Sequence, residues 1–456
     1  MPLPSAHDEC VISTTAHQVH EASAILNKRA AASIAGGVVS LNRKTEPALA
    51  FVRAQGSRLW DADGQQYIDY HAAFAPYILG HNHPEVNQAV ADAISAGWSL
   101  MGSGTNPWEI ELAETLRACV ASLDLVQITN TGSEATAHAI RLSRAFTGRE
   151  DIILTLGGYN GWHNDVARAV APSLDAVGPR VSPGEYPFVP SSAGVPEGVA
   201  RRVHIVNYND AASIEYVLRR YPVAAVLTEP VLQNVGIMPP KPGYLAEVKA
   251  LCERNGSLLV FDEVKTGFRS ALGGYQSICG VKPDLSVFGK ALANGYPMGA
   301  IGGRKDVMEL FSHPDPAKRV LIAGTYNAHP FTVAAALATL GILRANEGAV
   351  YAKLEATTAR LEAGLHTIFK AKGVPHTISR LGSAFCVYFM DHVPVDFHDL
   401  QTNNDAAFDV RYRRALIERG VYHFPVACKQ GSVSAVHSHD DIDQTLQITE
   451  TVVAAL

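Results

Sequence analysis

Two residues in this 456-residue chain stand where an apolar run ends, and both are of types that do chemistry once kept from water. Asp262 closes SLLVF within the segment FDEVKTGFR, residues 261–269. Lys290 follows LSVFG within the glycine-rich stretch FGKALANGYPMGAIGG, residues 288–303. Taken singly, an aspartate in such a place is usually a helix cap or a salt-bridge partner, and a lysine is usually on the surface. Taken together they suit another task. A desolvated lysine gives up its proton readily and then attacks an aldehyde carbon. A carboxylate set against a ring nitrogen keeps that nitrogen protonated, so that the ring can accept electrons.

Pyridoxal phosphate is a cofactor that needs both groups, and its phosphate needs a third feature. NTGSEATAHAIRLSRAFTGR, residues 130–149, reads as a strand end, a Thr-Gly-Ser turn and a helix start. Free backbone N–H groups and the helix dipole make such a turn an anion site, and the hydroxyls of Thr131 and Ser133 add donors on either side of Gly132. The spacing differs from the GxxxxGK[ST] of nucleotide loops, which argues against a nucleoside phosphate. Tyr159, in GGYNGWH just beyond the apolar run DIILTL, offers a face for stacking on a flat ring, although a core aromatic has the same look.

The elements that must position these residues follow from hydrophobic patterning. VQITN (126–130), DIILTLGG (151–158), VAAVLTEP (223–230), SLLVFDE (257–263) and LSVFGK (285–290) read as buried strands. Helices such as EATAHAIRLSRAF and YLAEVKALCERNG lie between them, with Gly256 as a C-cap. Strands that are apolar throughout and separated by helices imply an α/β fold with a mostly parallel sheet covered on both faces. Ligands in such sheets sit at the carboxyl ends of the strands, where Asp262 and Lys290 fall. Ahead of this body, Glu21 to Ala35 suits a helix stopped by Gly36-Gly37, and ALAFVRAQGSRLWDADGQQYIDY suits strands around a turn at Asp63-Gly64. Residues 165–200 read as a long irregular excursion. Helices dominate from Phe331 to about Lys372, and FCVYFM and SVSAV then read as short strands. The division expected is an N-terminal arm and strands over 1–75 that join a small domain, a large cofactor-binding domain over 76–330, and a C-terminal small α+β domain over 331–456.

Composition narrows the class. Hydrophobic residues at 47% and charged residues at 18% describe an ordered globular chain, not a disordered one. A formal charge of −6 without a basic block gives a nucleic acid little to hold. The six cysteines form no CxxC pair, which fits free thiols in a reducing compartment. MPLPSAHDEC does not read as a secretory leader, and no apolar run reaches the length of a membrane span, so a cytoplasmic location is expected. His81-Asn82-His83 and His437-Ser438-His439 have the look of metal pairs, but neither has a third ligand nearby in sequence, and no metal is expected.

The order and spacing of these segments resemble the class III aminotransferases of pyridoxal-phosphate fold type I, and most closely the glutamate-1-semialdehyde aminomutase branch. The likeness runs through IAGGVVSLNR, WDADGQQYIDY, LGHNHPEV, NTGSEATAHAIRLSRAFTGR, TEPV, LLVFDEVKTGFR, VFGKALANGYPMGAIGGR, GTYNAHP and SVSAVHSHDDID. The resemblance implies a large domain with a seven-stranded, mostly parallel sheet and a smaller α+β domain. It implies that Lys290 forms a Schiff base with the cofactor and shuttles a proton, and that Asp262 holds the pyridinium. Val264 and Tyr159 would then pack on opposite ring faces, Gly132 and Ser133 would hold the phosphate, and Asn234 would lie near the phenolic oxygen of the ring. Thr325 would reach the phosphate of a second copy, making a homodimer with shared sites. Arg43 would grip a substrate carboxylate, a task suited to its two-pronged guanidinium. Glu229 and Glu263 are given structural roles.

This chain departs from the branch in three places. Tyr159-Asn160-Gly161 stands where many relatives read Tyr-His-Gly. GTYNAHP stands where aminomutases read Gly-Thr-Leu-Ser-Gly-Asn-Pro. Lys429, in FPVACKQGSV, aligns with a glutamate of the aminomutases, and is expected to be a solvated loop lysine rather than a contact for a substrate carboxylate. The last two changes favour an aminotransferase that passes an amino group from an amino acid or related carboxylate amine to a keto acid. Intramolecular transfer by an aminomutase, and a cofactor-binding protein without catalysis, are the alternatives. The loops 96–110 and 165–200 would tune the substrate side, and Phe74, Trp108 and Trp162 are candidates for an apolar pocket or for ordinary packing.

Overall fold

The computed structural model describes residues 20–456, so the polar arm expected at the start of the chain lies outside the described residues. The first helix covers Glu21–Ser33, and the backbone turns left-handed at Gly36 and Gly37 soon after it. Strands β1 (Phe51–Gln55), β2 (Arg58–Asp61) and β3 (Gln66–Asp69) then form an antiparallel meander. A short strand from far along the chain, Val421–Tyr422, completes that sheet by pairing in parallel with β3.

The central sheet has seven strands: β4 (Leu125–Thr129), β5 (Asp151–Thr155), β6 (Val203–Val206), β7 (Val223–Thr228), β8 (Leu258–Asp262), β9 (Leu285–Phe288) and β10 (Gly299–Gly303). Their order across the sheet is β4-β10-β9-β8-β7-β5-β6, and only β10 runs antiparallel to its neighbours. Every residue of β5 to β10 is buried. Alternate side chains feed two separate cores, as a pleated strand covered on both faces requires. On β8, Leu259 and Phe261 pack with the helix Tyr244–Asn255, whereas Leu258 and Val260 pack with the helix Gly132–Thr147. Asp262 continues the second set by period, so its carboxyl group emerges on the side where the helix Gly132–Thr147 begins.

A third sheet, β11 (Thr377–Leu381), β12 (Ala384–Tyr388) and β14 (Gly431–Ser432), packs with the helices Pro330–Arg344 and Ala349–Ala371, β13 being the Val421–Tyr422 strand. The strand expected over SVSAV is only two residues long, because Val433 N–H leaves the ladder to bond Ser383 O and Ala435 N–H bonds Ile78 O. Residues 165–200 are held by single helical turns at Asn164–Val166, Leu174–Val177 and Glu197–Ala200 and by isolated bridges of Arg168 with Pro190 and Tyr186 with Ile205. Among the described residues no single helix is long and apolar enough to cross a membrane.

One side chain ties these parts together. Arg269, 1% exposed, donates to Ala75 O through Nε at 3.1 Å and Nη2 at 2.7 Å, and to Ser383 Oγ through Nη1 at 2.8 Å. The segment it holds is unusual: Ala72, Ala73, Phe74 and Ala75 all have left-handed backbones, with φ of 47°, 50°, 68° and 78°. Each such residue costs roughly 1–2 kcal/mol, so the turn persists only where its surroundings fix it. Arg269→Ala is expected to lower folding stability by about 3 kcal/mol, since it strands buried acceptors and releases a strained turn. Denaturant titration of the two proteins checks this, with the transition midpoint falling at an unchanged slope.

Candidate active site

The carboxyl edge of the central sheet brings five chain segments together. β8 delivers Asp262, 3% exposed, and β9 delivers Lys290 after one extended residue, Gly289. β7 delivers Glu229, β4 leads into the Thr131–Ser133 turn, and β5 leads into Tyr159 and Asn160. Lys290 sits in the left-handed region at φ 46°, a conformation that non-glycine residues rarely adopt outside functional sites.

Asp262 is held from two sides. Its Oδ2 accepts Asn160 Nδ2–H at 2.8 Å and its Oδ1 accepts Val264 N–H at 3.1 Å. Burial, reinforced by the neighbouring Glu229 charge, pushes its carboxyl up to about 7, against the pull of Asn160, Val264 and Lys290. Lys290 shows the mirror effect: burial lowers its proton affinity, while Asp262 and Glu229 oppose the loss. Among the described residues its amine has no hydrogen-bond partner.

Glu229, 2% exposed, is the organiser of the opposite wall. Its carboxylate accepts Tyr159 N–H at 2.9 Å, Gln233 N–H at 3.0 Å and Asn234 Nδ2–H at 2.8 Å. Three N–H donors satisfy its oxygens, with no cation at hydrogen-bond range. Glu263 turns the other way and serves Thr266, Tyr275 and Gln276. Burial and the charge of Asp262 push the Tyr159 phenol up, and Ser133 lies against it.

The turn at 131–133 opens the helix Gly132–Thr147, with Thr131 Oγ1 accepting Glu134 N–H at 3.2 Å as its cap. Gly132 must be a glycine here. A Cβ on it would lie 2.7 Å from Val264 Cγ2, so Val264 closes directly over the turn. Gly299 on β10 has the same duty from behind, since a Cβ there would lie 2.3 Å from Thr131 O.

Asp262, Lys290, Tyr159, Asn234, Val264, Gly132 and Ser133 therefore neighbour one another at this edge of the sheet. Thr325 and Arg43 do not join them. Both are exposed, and the Arg43 guanidinium has no hydrogen-bond or ion-pair partner among the described residues. The Thr325 segment does approach the phosphate-type turn, because Asn130 Nδ2 donates to Asn327 Oδ1 at 3.0 Å. Trp108 stacks on Trp98 at 3.8 Å as core, Trp162 is 71% exposed, and Phe74 packs on His71 at 4.3 Å. His81 is engaged with Asp69 at 2.7 Å and His437 with Ser434 at 2.9 Å.

One expectation is corrected. Lys429 is not a solvated loop lysine. It is partly buried, and its Nζ donates to Asn234 O at 2.9 Å, which fixes it on the cleft wall. Two further residues were not singled out from sequence. Lys265 is only 9% exposed and lies close enough to Lys290 for their charges to interact. Arg168, 5% exposed, backs Asn160 by donating to Thr155 O at 2.6 Å and approaching Asn160 Oδ1 at 3.5 Å. The FDEVK segment placed a cation three residues after Asp262, which was a readable signal; nothing in sequence pointed to Arg168.

The donors fit a phosphorylated pyridine aldehyde. A buried carboxyl group that lacks a cation, an amine without a partner, and a helix N-terminus lie at one edge of the sheet. The Asp262 carboxyl gives a pH test on the apoprotein. A group whose proton affinity rises on folding contributes stability below its unfolded pKa, and loses it as pH climbs through the folded value. Wild-type apoprotein is therefore expected to lose melting temperature relative to Asp262→Asn between about pH 4 and the folded value near 7. Paired thermal melts across that range, giving a constant difference, would contradict the assignment.

Comparison with known proteins agrees with this geometry. Residues 40–451 match the family described as aminotransferase class-III. The glutamate-1-semialdehyde 2,1-aminomutase of Symbiobacterium thermophilum is 39% identical over 444 residues, which cover 96% of this chain and 98% of that protein. The crystal structure of an omega-transaminase from Sphaerobacter thermophilus superposes with a TM-score of 0.85 at 29% identity, covering 95% of this chain and 97% of that one. A structure described as a transaminase with PLP bound gives a TM-score of 0.83 at 27% identity, covering 96% and 98%. The chain is an enzyme that uses pyridoxal phosphate, and it belongs to the class III aminotransferase family.

Proposed function

We propose that the protein is an intermolecular aminotransferase, moving an amino group from an amino acid or related carboxylate amine to a keto acid. The observation that carries this reading is the lysine at position 429, fixed on the cleft wall by Asn234. The aminomutase branch resembled in sequence places a glutamate there, so the cleft has the opposite charge at that point. The 39% identity to aminomutases favours the second reading, intramolecular transfer on a small amino aldehyde.

Pyridoxal phosphate, when bound, supplies an aldehyde carbon and a ring that accepts electrons. Lys290 Nζ, short of water, is the amine that would hold the cofactor and serve as the base for the proton on the substrate carbon. Asp262 holds the ring nitrogen protonated, and Asn160 and Val264 N–H keep its carboxylate aimed. Tyr159 and Val264 would enclose the ring, Thr131, Gly132 and Ser133 would hold the phosphate, and Asn234 would serve the ring oxygen. Arg43 takes the substrate carboxylate; its exposure and lack of a partner leave the guanidinium free for that pairing.

A homodimer belongs to this reading, with Thr325 serving the phosphate site of a second copy. Its support is the outward-facing segment around Thr325, where Leu321 is 68% and Tyr326 62% exposed. The division at 1–75, 76–330 and 331–456 also belongs to it, and is supported by the pairing of β3 with β13. So does a cytoplasmic location, supported by cysteines 119, 252, 279, 386 and 428 being free thiols.

Omitting the amino acceptor decides between the two readings. An aminotransferase stops after one turnover per site, whereas an aminomutase continues, and sustained turnover of an amino aldehyde without acceptor refutes the proposal. Lys290→Ala is expected to reduce turnover by a factor of at least ~10³, while the purified variant still retains cofactor through its phosphate and ring contacts. Steady-state rates with dialysed protein measure the first effect, and phosphate analysis of the protein measures the second.

A further inference from the structure

The cleft holds more amine than acid. Besides Lys290, Lys265 and Lys429 project into the same neighbourhood from different parts of the chain. Lys265 Nζ donates to Gln233 O at 2.6 Å and to Gln430 Oε1 at 3.2 Å, and Lys429 Nζ donates to the next carbonyl, Asn234 O, at 2.9 Å. All these partners are neutral. Among the described residues neither amine forms an ion pair with a carboxylate. Glu229 is the acid whose charge reaches both, and its oxygens are already taken by Tyr159, Gln233 and Asn234. Asp262 is committed to Asn160 and Val264.

Buried ammonium groups without an acid are costly, and a protein retains them where a ligand brings the missing charge. Two neighbours shape the space. His71 stacks on Phe424 at 4.7 Å, and Phe74 lies 5.1 Å from Phe424, which gives an apolar wall beside the amines. Burial, with the lysine and Arg413 charges, pushes His71 down to about 4, so it is neutral and adds no cation of its own. Burial lowers the proton affinity of both lysines, helped by the charges of Lys290 and Lys429 at Lys265 and by that of Arg413 at Lys429, and an arriving anion opposes that loss.

We propose that Lys429, seconded by Lys265, is a carboxylate-binding subsite that makes the enzyme selective for substrates with two carboxylates over those with one. Each ammonium has at least one N–H left after the bonds described, so a carboxylate can bridge the pair. The inference rests on the aminotransferase reading for its role in the reaction, but the binding it predicts is independent of turnover.

The test uses the holoenzyme and two unreactive acids, glutarate and butyrate, with binding followed by calorimetry. Glutarate is expected to bind at least ~10-fold more tightly than butyrate, the scale of one charge-assisted hydrogen bond. Lys429→Met should bring the ratio of the two affinities close to one, Lys429→Arg should preserve it, and Lys265→Met should reduce it. Equal binding of the two acids by the wild type overturns the proposal, as does a ratio that survives in Lys429→Met. Loss of cofactor affinity in Lys429→Met with the ratio intact also overturns it, because the amine would then serve the cofactor. If no amino donor discharges the holoenzyme while the ratio behaves as expected, the aminotransferase reading fails and the subsite stands.

Discussion

Two carboxyl groups and three amines share one water-poor space at the end of the central sheet, within electrostatic reach of one another. This coupling is the constraint around which the molecule is arranged. A strand covered on both faces can end in a polar group only where the covering layers stop, so β7, β8 and β9 deliver Glu229, Asp262 and Lys290 to the same edge. Water is excluded there by the same packing that makes the strands stable. The perturbed proton affinities of Asp262 and Lys290 are therefore products of the fold and not of any single contact.

The site works against that background by dividing its acids between duties. Glu229 spends its oxygens on N–H donors and organises Tyr159 and Asn234, while Asp262 is held more loosely and faces the space where a ring nitrogen is expected. Asn160 is the hinge of this arrangement. It orients Asp262 with its amide nitrogen, its carbonyl accepts Thr136 Oγ1 at 2.6 Å, and Arg168 backs it from behind. An asparagine in that place donates without carrying a titratable charge of its own, so the ring environment stays insensitive to pH on that side.

How much of this could be read in the sequence follows from the distance over which each signal acts. Asp262 and Lys290 were legible because a buried strand and its terminal residue are contiguous, and Gly132 and Ser133 because strand, turn and helix occupy one short segment. The bond from Asn160 to Asp262 was not, since it depends on β5 lying beside β7 and β7 beside β8. Lys429 looked like a loop residue because its loop is polar, and only the return of the C-terminal segment to Asn234 shows its burial. The short β14 escaped for a related reason: SVSAV has strand composition, but its backbone bonds are claimed by Ser383 and Ile78 instead of a neighbouring ladder.

The pairing of β3 with β13 bears on how the molecule is made. Ser57 Oγ bonds Asp441 Oδ2 across 384 positions of sequence, and Arg58 bonds the same carboxylate. Until synthesis reaches that region, β3 has β2 on one side and an open ladder on the other, and Tyr67 and Ile68 lack their cover. A growing chain therefore emerges from the ribosome with an unsatisfied edge near its front, and must keep it apart from other nascent chains for most of translation.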